Sequence, residues 1–538
     1  MATTYLTPGV YVEEIDRGSK PIEGVGTAVA AFVGFAEKGS IGKPTQVTNW
    51  SQFTEKFGGF IEGGFLAHAV YGFFNNGGGV CYVNRLPGEV TTAQPNGKAP
   101  EATAQLPPAA VTLVGRGTNG QPTLEVTAVS PTADDISVEI RGPDDGAPED
   151  QFTIVVRGSG KEETHANVTF GKGSRNTRNV IETVNRESTL IRVTEREAGG
   201  TLAERIPTIG THPLVRTGVP TSAVPTDGRE TTGLALSNNL SPEVFRGSAE
   251  ARTGVMGLEV AEDVTMVCVP DLMAAYLAGK LSADALRAVQ TDVLNHCEAM
   301  QDRVAILDAP PSLNPQEMGD WRLNVAGYDS KYGSLYYPWV EVANPLGKDN
   351  ILVPPCGHVA GIWARNDNER GVHKAPANEV VRGALGLGYQ ITHGEQGRLN
   401  LNGVNCIRSF PGRGIRVWGA RTISSDPSWR YLNVRRLFNY IEKSVDRGTQ
   451  WVVFEPNDLY LWEKVKRDLS AFLTRVWRDG ALFGASPYES FYVKCDEELN
   501  PVAVRDAGQM ICEIGIAPVK PAEFVIFRIT QYAGGAVE

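Results

Sequence analysis

Short apolar runs that end in proline and aspartate, with a two-faced helical segment between them, constrain the fold of this chain most strongly. Residues 264–269 read VTMVCV before Pro-Asp, and residues 303–307 read RVAIL before Asp-Ala-Pro-Pro. The residues between them predict a helix capped by Ser282. Two buried strands joined by such a helix form a right-handed crossover in a parallel sheet. The sequence therefore predicts an α/β core.

The same alternation of predicted strands and helices occurs in the N- and C-terminal parts of the chain but not between them. Residues 1–85 predict strands and helices in the order β-α-α-β, and residues 251–538 continue the α/β pattern. Residues 86–250 begin with a proline-rich linker and continue as short alternating runs closed by glycine, proline or aspartate, which is typical of antiparallel sheet. We therefore expect an α/β core, a mixed sheet with flanking helices, built from the N- and C-terminal parts. An inserted, surface-exposed β-rich domain would lie between them.

Composition excludes several classes of protein. The 538 residues carry a net charge of −11 with a pI near 5.4, which argues against a nucleic-acid coat. No run of 18 apolar residues predicts membrane insertion, and the first residues lack the pattern of a secretory signal. The seven cysteines are scattered and never spaced CxxC, which predicts buried thiols in a reducing compartment. We expect a protein made in a cytoplasm.

An α/β core raises the possibility of an enzyme. The nucleotide-binding GxxxxGK[ST], the GxSxG elbow and the HExxH zinc motif are missing from the sequence, so we expect neither cofactor nor metal. Asp271 and Asp308 follow predicted parallel strands, where ligand sites form in such sheets, and His358 begins a predicted helix. An α/β hydrolase-like enzyme with a β-rich accessory domain is therefore the alternative hypothesis, with a pocket around these three residues. Turn and cap roles explain the aspartates equally well.

Residues 449–484 predict a buried strand at 451–454, a turn, and a helix capped by Asn457 or Asp458 that ends at Asp479-Gly480. One side of that helix is apolar and faces its own domain: Trp462, Val465, Leu469, Phe472, Leu473 and Val476. The opposite side carries a basic row: Lys464, Arg467, Arg475 and Arg478. Such a row is either a solvated face or a docking surface for an acidic partner.

Both ends of the chain carry a predicted strand with two apolar faces, residues 10–15 and residues 523–531. A strand of this kind must pair with a sheet edge, either in its own subunit or in a neighbour.

Several stretches, in order along the chain, resemble contractile tail sheath proteins of myophages, R-type bacteriocins and phage-like contractile injection systems. They include TPGVYVEEI, IEGVGTAVAAFVGFAEKG and GGGVCYVNRL near the start. Later come GRGIRVWGARTISSD, YLNVRRLFNYIEKSV, TQWVVFEPND and IAPVKPAEFVIFRITQ. The resemblance covers roughly residues 1–85 and 250–538. Residues 86–250 correspond only to the place where such proteins carry variable insertions.

The resemblance implies a structural subunit and not an enzyme. Such subunits stack as hexameric rings around an inner tube and contract to drive the tube through a target envelope. The implied partners are further copies of the chain, the inner tube protein, the baseplate and the tail-terminator or cap proteins, without nucleic acid. The particle would be assembled in a bacterial cytoplasm as part of a phage tail or a tail-like particle. A shell protein that closes into spheres is a third, weaker alternative.

The resemblance also gives roles to residues. The terminal strands would leave the subunit and complete a small sheet in neighbouring subunits: Val10, Tyr11, Val12, Glu13, Glu14, Ile15, Phe524, Val525, Ile526, Phe527, Arg528 and Ile529. The basic row Lys464, Arg467, Arg475 and Arg478 would face the inner tube, or alternatively a neighbouring sheath subunit.

Overall fold

The computed structural model describes residues 21–93, 110–116, 122–129, 136–143, 148, 150–158, 161–171, 178–196, 201–214, 231–236 and 240–528. The chain divides into two compact units. The larger comprises Met1–Pro95 and Asp227–Glu538, and the smaller comprises Asn96–Thr226.

The strands of the described residues are, in chain order, β1 (Val29–Gly34), β2 (Thr45–Val47), β3 (Val80–Arg85), β4 (Glu89–Ala93), β5 (Ala110–Val114), β6 (Pro122–Ala128), β7 (Ser137–Arg141), β8 (Phe152–Gly158), β9 (Lys161–Val168), β10 (Ile191–Glu195), β11 (Gly210–Pro213), β12 (Thr231–Ala235), β13 (Met266–Cys268), β14 (Val304–Asp308), β15 (Gly333–Tyr337), β16 (Val340–Ala343), β17 (Asn350–Val353), β18 (Glu379–Val380), β19 (Gly386–Leu387), β20 (Val404–Phe410), β21 (Gly414–Val417), β22 (Phe491–Lys494) and β23 (Glu513–Ile516).

The α-helices are α1 (Trp50–Phe57), α2 (Leu66–Asn75), α3 (Val180–Glu187), α4 (Pro242–Arg246), α5 (Asp271–Leu277), α6 (Ala283–Met300), α7 (Pro315–Asp320), α8 (Cys356–Arg370), α9 (His393–Leu401), α10 (Leu432–Thr449), α11 (Leu459–Arg478), α12 (Pro487–Ser490) and α13 (Val502–Asp506). Among the described residues, four further helical turns are of 3₁₀ or π type: Met256–Val260, Trp321–Ala326, Pro427–Trp429 and Gln450–Val452.

A nine-stranded sheet forms the centre of the larger unit, in the order β18-β21-β20-β15-β14-β13-β1-β3-β2. Its six central strands, from β20 to β3, are parallel, and each strand outside them pairs antiparallel with its inner neighbour. Every residue of β14 and β15 is buried, as expected where helices cover both faces of a parallel sheet. The predicted α/β core is confirmed as a mixed sheet that joins strands from the beginning of the chain to strands from its second half.

The crossover predicted between residues 264 and 307 is confirmed. Strands β13 and β14 are parallel neighbours, and α6 connects them. The Ser282 hydroxyl accepts a hydrogen bond from the Ala285 amide at 3.2 Å and caps the helix. Six of the seven cysteines are buried free thiols, and Cys512 is partly exposed, so the prediction of buried thiols holds for six of them.

Helices α2 and α8 cross at very short distance on one face of the sheet. A Cβ atom on Gly357 would lie 2.2 Å from the Ala69 carbonyl oxygen, and one on Gly361 would lie 2.4 Å from the Phe73 carbonyl oxygen. The two backbones therefore touch where α8 has no side chains.

A buried ion pair connects α8 to α10 and to the chain before β1. The Arg436 guanidinium donates to both carboxylate oxygens of Asp367, at 2.9 and 2.5 Å, and both side chains are almost fully buried. The Thr27 hydroxyl donates to the same carboxylate at 2.6 Å, and the Thr27 carbonyl accepts from Arg436 at 3.1 Å. The guanidinium also lies 4.7 Å from the centre of the Trp363 ring. Both carboxylate oxygens accept from the guanidinium, and Thr27 adds further hydrogen bonds, which a buried pair requires.

Helix α11 has its own apolar cluster, shared with α10, with the two-stranded sheet β22–β23 and with Ile22. Its predicted apolar face is confirmed, since Trp462, Val465, Leu469, Phe472, Leu473 and Val476 are all buried. Asp458 is the cap, because its carboxylate accepts from the Leu461 amide at 2.9 Å. The helix ends at Arg478, before Asp479 and Gly480, as predicted.

The strand predicted at residues 451–454 is wrong. Residues 450–452 form a short 3₁₀ helix, and Phe454 is fully exposed with a φ of 70°. The apolar run looked like a buried strand because its side chains are large and hydrophobic, but two of them, Val453 and Phe454, point into solvent.

The smaller unit is built from two antiparallel sheets, β10-β6-β5 and β11-β7-β8-β9, with α3 packed against β10 and β9. Inward-facing residues of both sheets form one apolar cluster with α3. The sheet β4–β12 clusters with the larger unit, so residues 86–95 and 227–250 of the predicted insertion belong there. Over the described stretches, no helix has the length and apolar character needed to cross a membrane.

Candidate functional site

The residues of the enzyme hypothesis lie at helix starts inside the core. The Asp271 carboxylate accepts from the amides of Phe35, Phe65 and Leu66 at 2.6, 2.5 and 3.0 Å, the last two at the start of α2. The Asp308 carboxylate accepts from the Cys356 amide, the first of α8, at 2.9 Å. Neither helix has a capping side chain of its own, so Asp271, the first residue of α5, and Asp308, the last residue of β14, supply the caps.

Burial dominates the ionisation of these groups. It raises the pKa of Asp271 to about 6 and that of Asp308 to about 7. Burial, with a smaller contribution from His68, lowers the pKa of His358 to about 4. The cavity beside Asp308 has a volume of about 10 Å³, which is space for about one water molecule. In the ranges that the structure describes, no three side chains are arranged to hold a metal. This geometry does not support the hydrolase hypothesis.

The basic row runs along the side of α11 opposite its apolar face. Arg467, Arg475 and Arg478 are exposed and Lys464 is half-buried. The Lys464 ammonium lies 4.0 Å from the centre of the Trp451 ring, and the Arg467 Nε lies 3.3 Å from an Asp468 carboxylate oxygen. Arg475 donates to the backbone carbonyl of Ile22. The four basic residues therefore form one surface row on α11. Arg475 in this row also holds the N-terminal part of the chain through Ile22.

Two exposed aromatic residues extend this surface and were missed from the sequence. Tyr460 lies one helical turn before Lys464 in the same row and is 79% exposed, and Phe454 is fully exposed in the turn before α11. The positive φ of Phe454 is unusual for a bulky residue and marks a position where backbone strain is tolerated. The sequence signal for Phe454 is the apolar run at residues 451–454, but the same pattern also predicts a buried strand.

The N-terminal strand Val10, Tyr11, Val12, Glu13, Glu14 and Ile15 lies outside the described residues. The first described residues, from 21 onward, are held by contacts with the body of the subunit. Ile22 is buried in the α10–α11 cluster, and the Val25 amide donates to the Ser444 hydroxyl at 3.1 Å. Residues 22–25 are thus held between α10 and α11.

The C-terminal segment is held as far as Glu523, and the described residues after it are exposed. The Ala517 carbonyl accepts from the Phe483 amide at 2.8 Å, and the Val519 carbonyl accepts from the Asn433 side chain at 3.1 Å. The next apolar residues are highly exposed, at 71, 67, 79 and 85%: Phe524, Val525, Ile526 and Phe527.

No strand is formed by residues 523–528, and Ile529 lies beyond the described part, so the predicted strand is not formed within the single chain. An isolated strand has no partner for its backbone groups, which explains the difference.

Close to these segments lies a small sheet, β22–β23, which has two antiparallel strands among the described residues. It packs against α11 on one side. Two strands alone are marginally stable, and both outer edges present backbone donors and acceptors.

Sequence comparisons decide what kind of protein carries these features. Residues 261–423 match the family model of the phage tail sheath protein central domain, and residues 424–531 match that of the phage tail sheath C-terminal domain. The chain belongs to the contractile tail sheath protein family.

Individual sheath proteins are similar over parts of their length. The tail sheath protein of Vibrio phage KVP40 is 28% identical over 180 residues, 33% of this chain and 26% of that protein. A putative prophage major tail sheath protein of Pseudomonas aeruginosa (strain UCBPP-PA14) is 24% identical over 56% of this chain and 83% of its own. The tail sheath protein of Enterobacteria phage T4 is 24% identical over 48% of this chain and 42% of its own. The chain thus spans less than half the length of the two phage relatives.

Solved sheath structures share the fold over almost the whole chain. The PVC sheath complex of an extracellular contractile injection system, in its contracted state, superimposes with a TM-score of 0.55 at 21% identity, covering 99% of both chains. The helical sheath of the anti-feeding prophage, also contracted, gives a TM-score of 0.55 at 22% identity, covering 98% of this chain and 100% of that one.

Proposed function

We propose that this sheath protein polymerises as stacked hexameric rings around an inner tube and contracts to drive the tube through a target envelope. The observation that carries the proposal is the apolar segment Phe524–Phe527, which is firmly rooted yet exposed. A single soluble subunit gains nothing from four consecutive exposed apolar side chains. A polymer gains stability when it buries these side chains against the next subunit.

Strand exchange is the mode of linkage that fits this segment. The sheet β22–β23 offers free edges, and a segment of another copy can add to such an edge through backbone hydrogen bonds. We infer that Phe524, Val525, Ile526, Phe527, Arg528 and Ile529 of one subunit, and Val10, Tyr11, Val12, Glu13, Glu14 and Ile15 of another, complete this sheet. Links of this kind persist while the subunits rotate as rigid bodies, so the sleeve would stay connected during contraction.

The basic row on α11 is our candidate for the inner-tube contact. Exposed ionic contacts are individually weak and screened by salt, so the tube could be released when the sheath contracts. Replacing Lys464, Arg467 and Arg478 together by glutamine should reduce co-sedimentation with inner tubes and weaken its dependence on salt. A loss of sheath self-assembly in the absence of tubes would instead place the row against a neighbouring subunit.

We infer that the smaller unit is an inserted, surface-exposed domain, since its core is separate from that of the larger unit. The baseplate and the terminator or cap proteins are proposed as further partners, and the bacterial cytoplasm as the site of assembly. We assign no catalytic role to any residue.

Negative-stain electron microscopy, beside sedimentation, tests this function. Purified protein mixed with its inner tube protein should form striated tubes of one diameter. Variants lacking residues 1–15 or 524–538 should remain folded by circular dichroism and fail to polymerise. A full-length subunit that stays monomeric in the presence of inner tubes would refute the proposal, and closed spheres would favour a shell.

A further inference from the structure

An arginine binds Glu523, the residue before the exposed segment Phe524–Phe527. The Arg421 guanidinium donates from Nε and Nη2 to the two carboxylate oxygens of Glu523, at 2.9 and 2.7 Å. The Asn400 side-chain amide donates to the same carboxylate at 2.7 Å, and its backbone carbonyl accepts from Arg421 Nη1 at 3.0 Å. The Arg421 side chain is only 7% exposed.

This arginine is itself attached to the central sheet. Its backbone amide donates to the Asn405 side chain at 2.7 Å, and its carbonyl accepts from the Asn405 amide group and the Ser334 hydroxyl at 2.8 and 3.0 Å. Asn405 belongs to β20 and Ser334 to β15, and both are fully buried. Glu523 is therefore connected to the central sheet through Arg421, while Asn400 connects it to α9.

Two parallel hydrogen bonds from a planar guanidinium fix direction as well as position. Beginning with the next residue, Phe524, the side chains are exposed. Within the described part of the chain, Glu523 is thus the last residue held by side-chain contacts to the body of the subunit. Burial raises the pKa of its carboxyl, but hydrogen bonds from Arg421 and Asn400 outweigh this effect and bring the pKa below its ordinary value.

We propose that Arg421 is a positioning residue that sets the register of the C-terminal segment on the neighbouring subunit. Side chains alternate between the two faces of a strand, so a slip of one residue exchanges Phe524 and Ile526 with Val525 and Phe527. An anchor immediately before Phe524 prevents that slip and orders the root of the segment before assembly, which lowers the entropic cost of association. The proposal rests on the strand exchange proposed above.

Limited proteolysis of the monomer tests the anchor without requiring assembly. A glutamyl endopeptidase that cuts after Glu523 releases residues 524–538, a fragment that mass spectrometry identifies. Release should be slow in the wild type and about ten times faster in Arg421→Gln, because cleavage follows the population of the opened state. Arg416→Gln removes a neighbouring arginine that bonds to Arg413 and Asn378 instead, and should behave as the wild type. Equal release from all three proteins would overturn the anchor.

Polymer yield tests the register. Arg421→Gln and Glu523→Gln should keep the wild-type circular dichroism spectrum but sediment as polymer about ten times less on inner tubes, since a misplaced strand costs at least one set of side-chain contacts. Rapid release of the fragment together with normal polymers would show that Arg421 anchors the segment without setting its register. Failure of the wild type itself to polymerise would reject the sheath function and the register claim together, while the proteolysis result would still report on the anchor.

Discussion

Arg475 in α11 donates a hydrogen bond to the backbone carbonyl of Ile22, a residue 453 positions earlier in the chain. The helix that carries the proposed tube-facing row therefore also holds the root of the N-terminal segment. Ile22 is buried in the same cluster. If α11 moves when the tube is released, the contact at Ile22, next to the proposed N-terminal linking segment, should move with it.

This double use of α11 separates Arg475 from Arg478. Both substitutions to glutamine remove one charge from the row, but only Arg475→Gln breaks a bond to the N-terminal root. We expect Arg475→Gln to lower the free energy of unfolding by about 1 kcal/mol, measured by urea denaturation. The described residues offer Arg478 no hydrogen-bond partner, so Arg478→Gln should leave stability unchanged. Equal free energies of unfolding for Arg475→Gln and Arg478→Gln would show that the Arg475–Ile22 hydrogen bond does not stabilise the fold.

The glycines of α8 permit its close contact with α2. Gly357→Ala and Gly361→Ala each place a methyl group within 2.4 Å of a backbone carbonyl oxygen. We expect each to lower the free energy of unfolding by about 1–3 kcal/mol, although alanine is the better helix former. Gly397→Ala in α9 has nothing within 4 Å of its new methyl group and should stabilise the protein by about 0.5–1 kcal/mol. If alanine changed the free energy of unfolding in the same direction in α8 and in α9, the close contact between α8 and α2 would not be what requires glycine.

The buried pair Asp367–Arg436 should be strongly sensitive to loss of one partner. Asp367→Asn leaves a guanidinium buried without its counter-charge, which costs about 3–5 kcal/mol. The exposed pair Lys494–Glu498 provides the control, and Glu498→Gln should leave the denaturation midpoint unchanged. A similar midpoint for the two variants would mean that the core pair is accessible to water.

Acid should weaken the α2–α8 contact through His358. Burial holds its pKa at about 4 in the folded chain, below the ordinary 6.5, so the unfolded state binds the proton first as the pH falls. The neutral His358 side chain therefore contributes its full stability to the fold above pH 6.5. This contribution, about 3 kcal/mol, is lost as the pH falls through 4. Asp271 and Asp308 act with the opposite sign, because their pKa values are raised.

The comparison of wild type with His358→Gln isolates the histidine from the aspartates. The difference between their free energies of unfolding should change steadily between pH 6.5 and pH 4, with the wild type losing stability faster. A constant difference across that range would show that His358 is not desolvated in the folded protein.

Features with a regular local pattern could be predicted from the sequence. The crossover from β13 to β14 and the apolar face of α11 follow from runs and spacings of a few residues, and the structure has both. The strand predicted at residues 451–454 is wrong because a short apolar run looks the same whether its side chains face a core or solvent, as Phe454 does.

The attachments of the two terminal segments could not be predicted. Arg421 and Glu523 are 102 residues apart and belong to no shared motif, and the Arg475 bond to Ile22 uses a backbone carbonyl that every sequence possesses. Such contacts depend on how the helices and the sheet come together. The sequence predicts that residues 10–15 and 523–531 need partners, and the structure adds the contacts that hold residues 22–25 and Glu523.

A helical reconstruction by cryo-electron microscopy of sheath polymers grown on inner tubes would show strand exchange itself. We expect continuous density for residues 524–529 of one subunit as an added strand on the β22–β23 sheet of a neighbour, with Glu523 still bound to Arg421 of its own chain. Polymers in which this segment folds back onto its own subunit, with β22–β23 unextended, would contradict it.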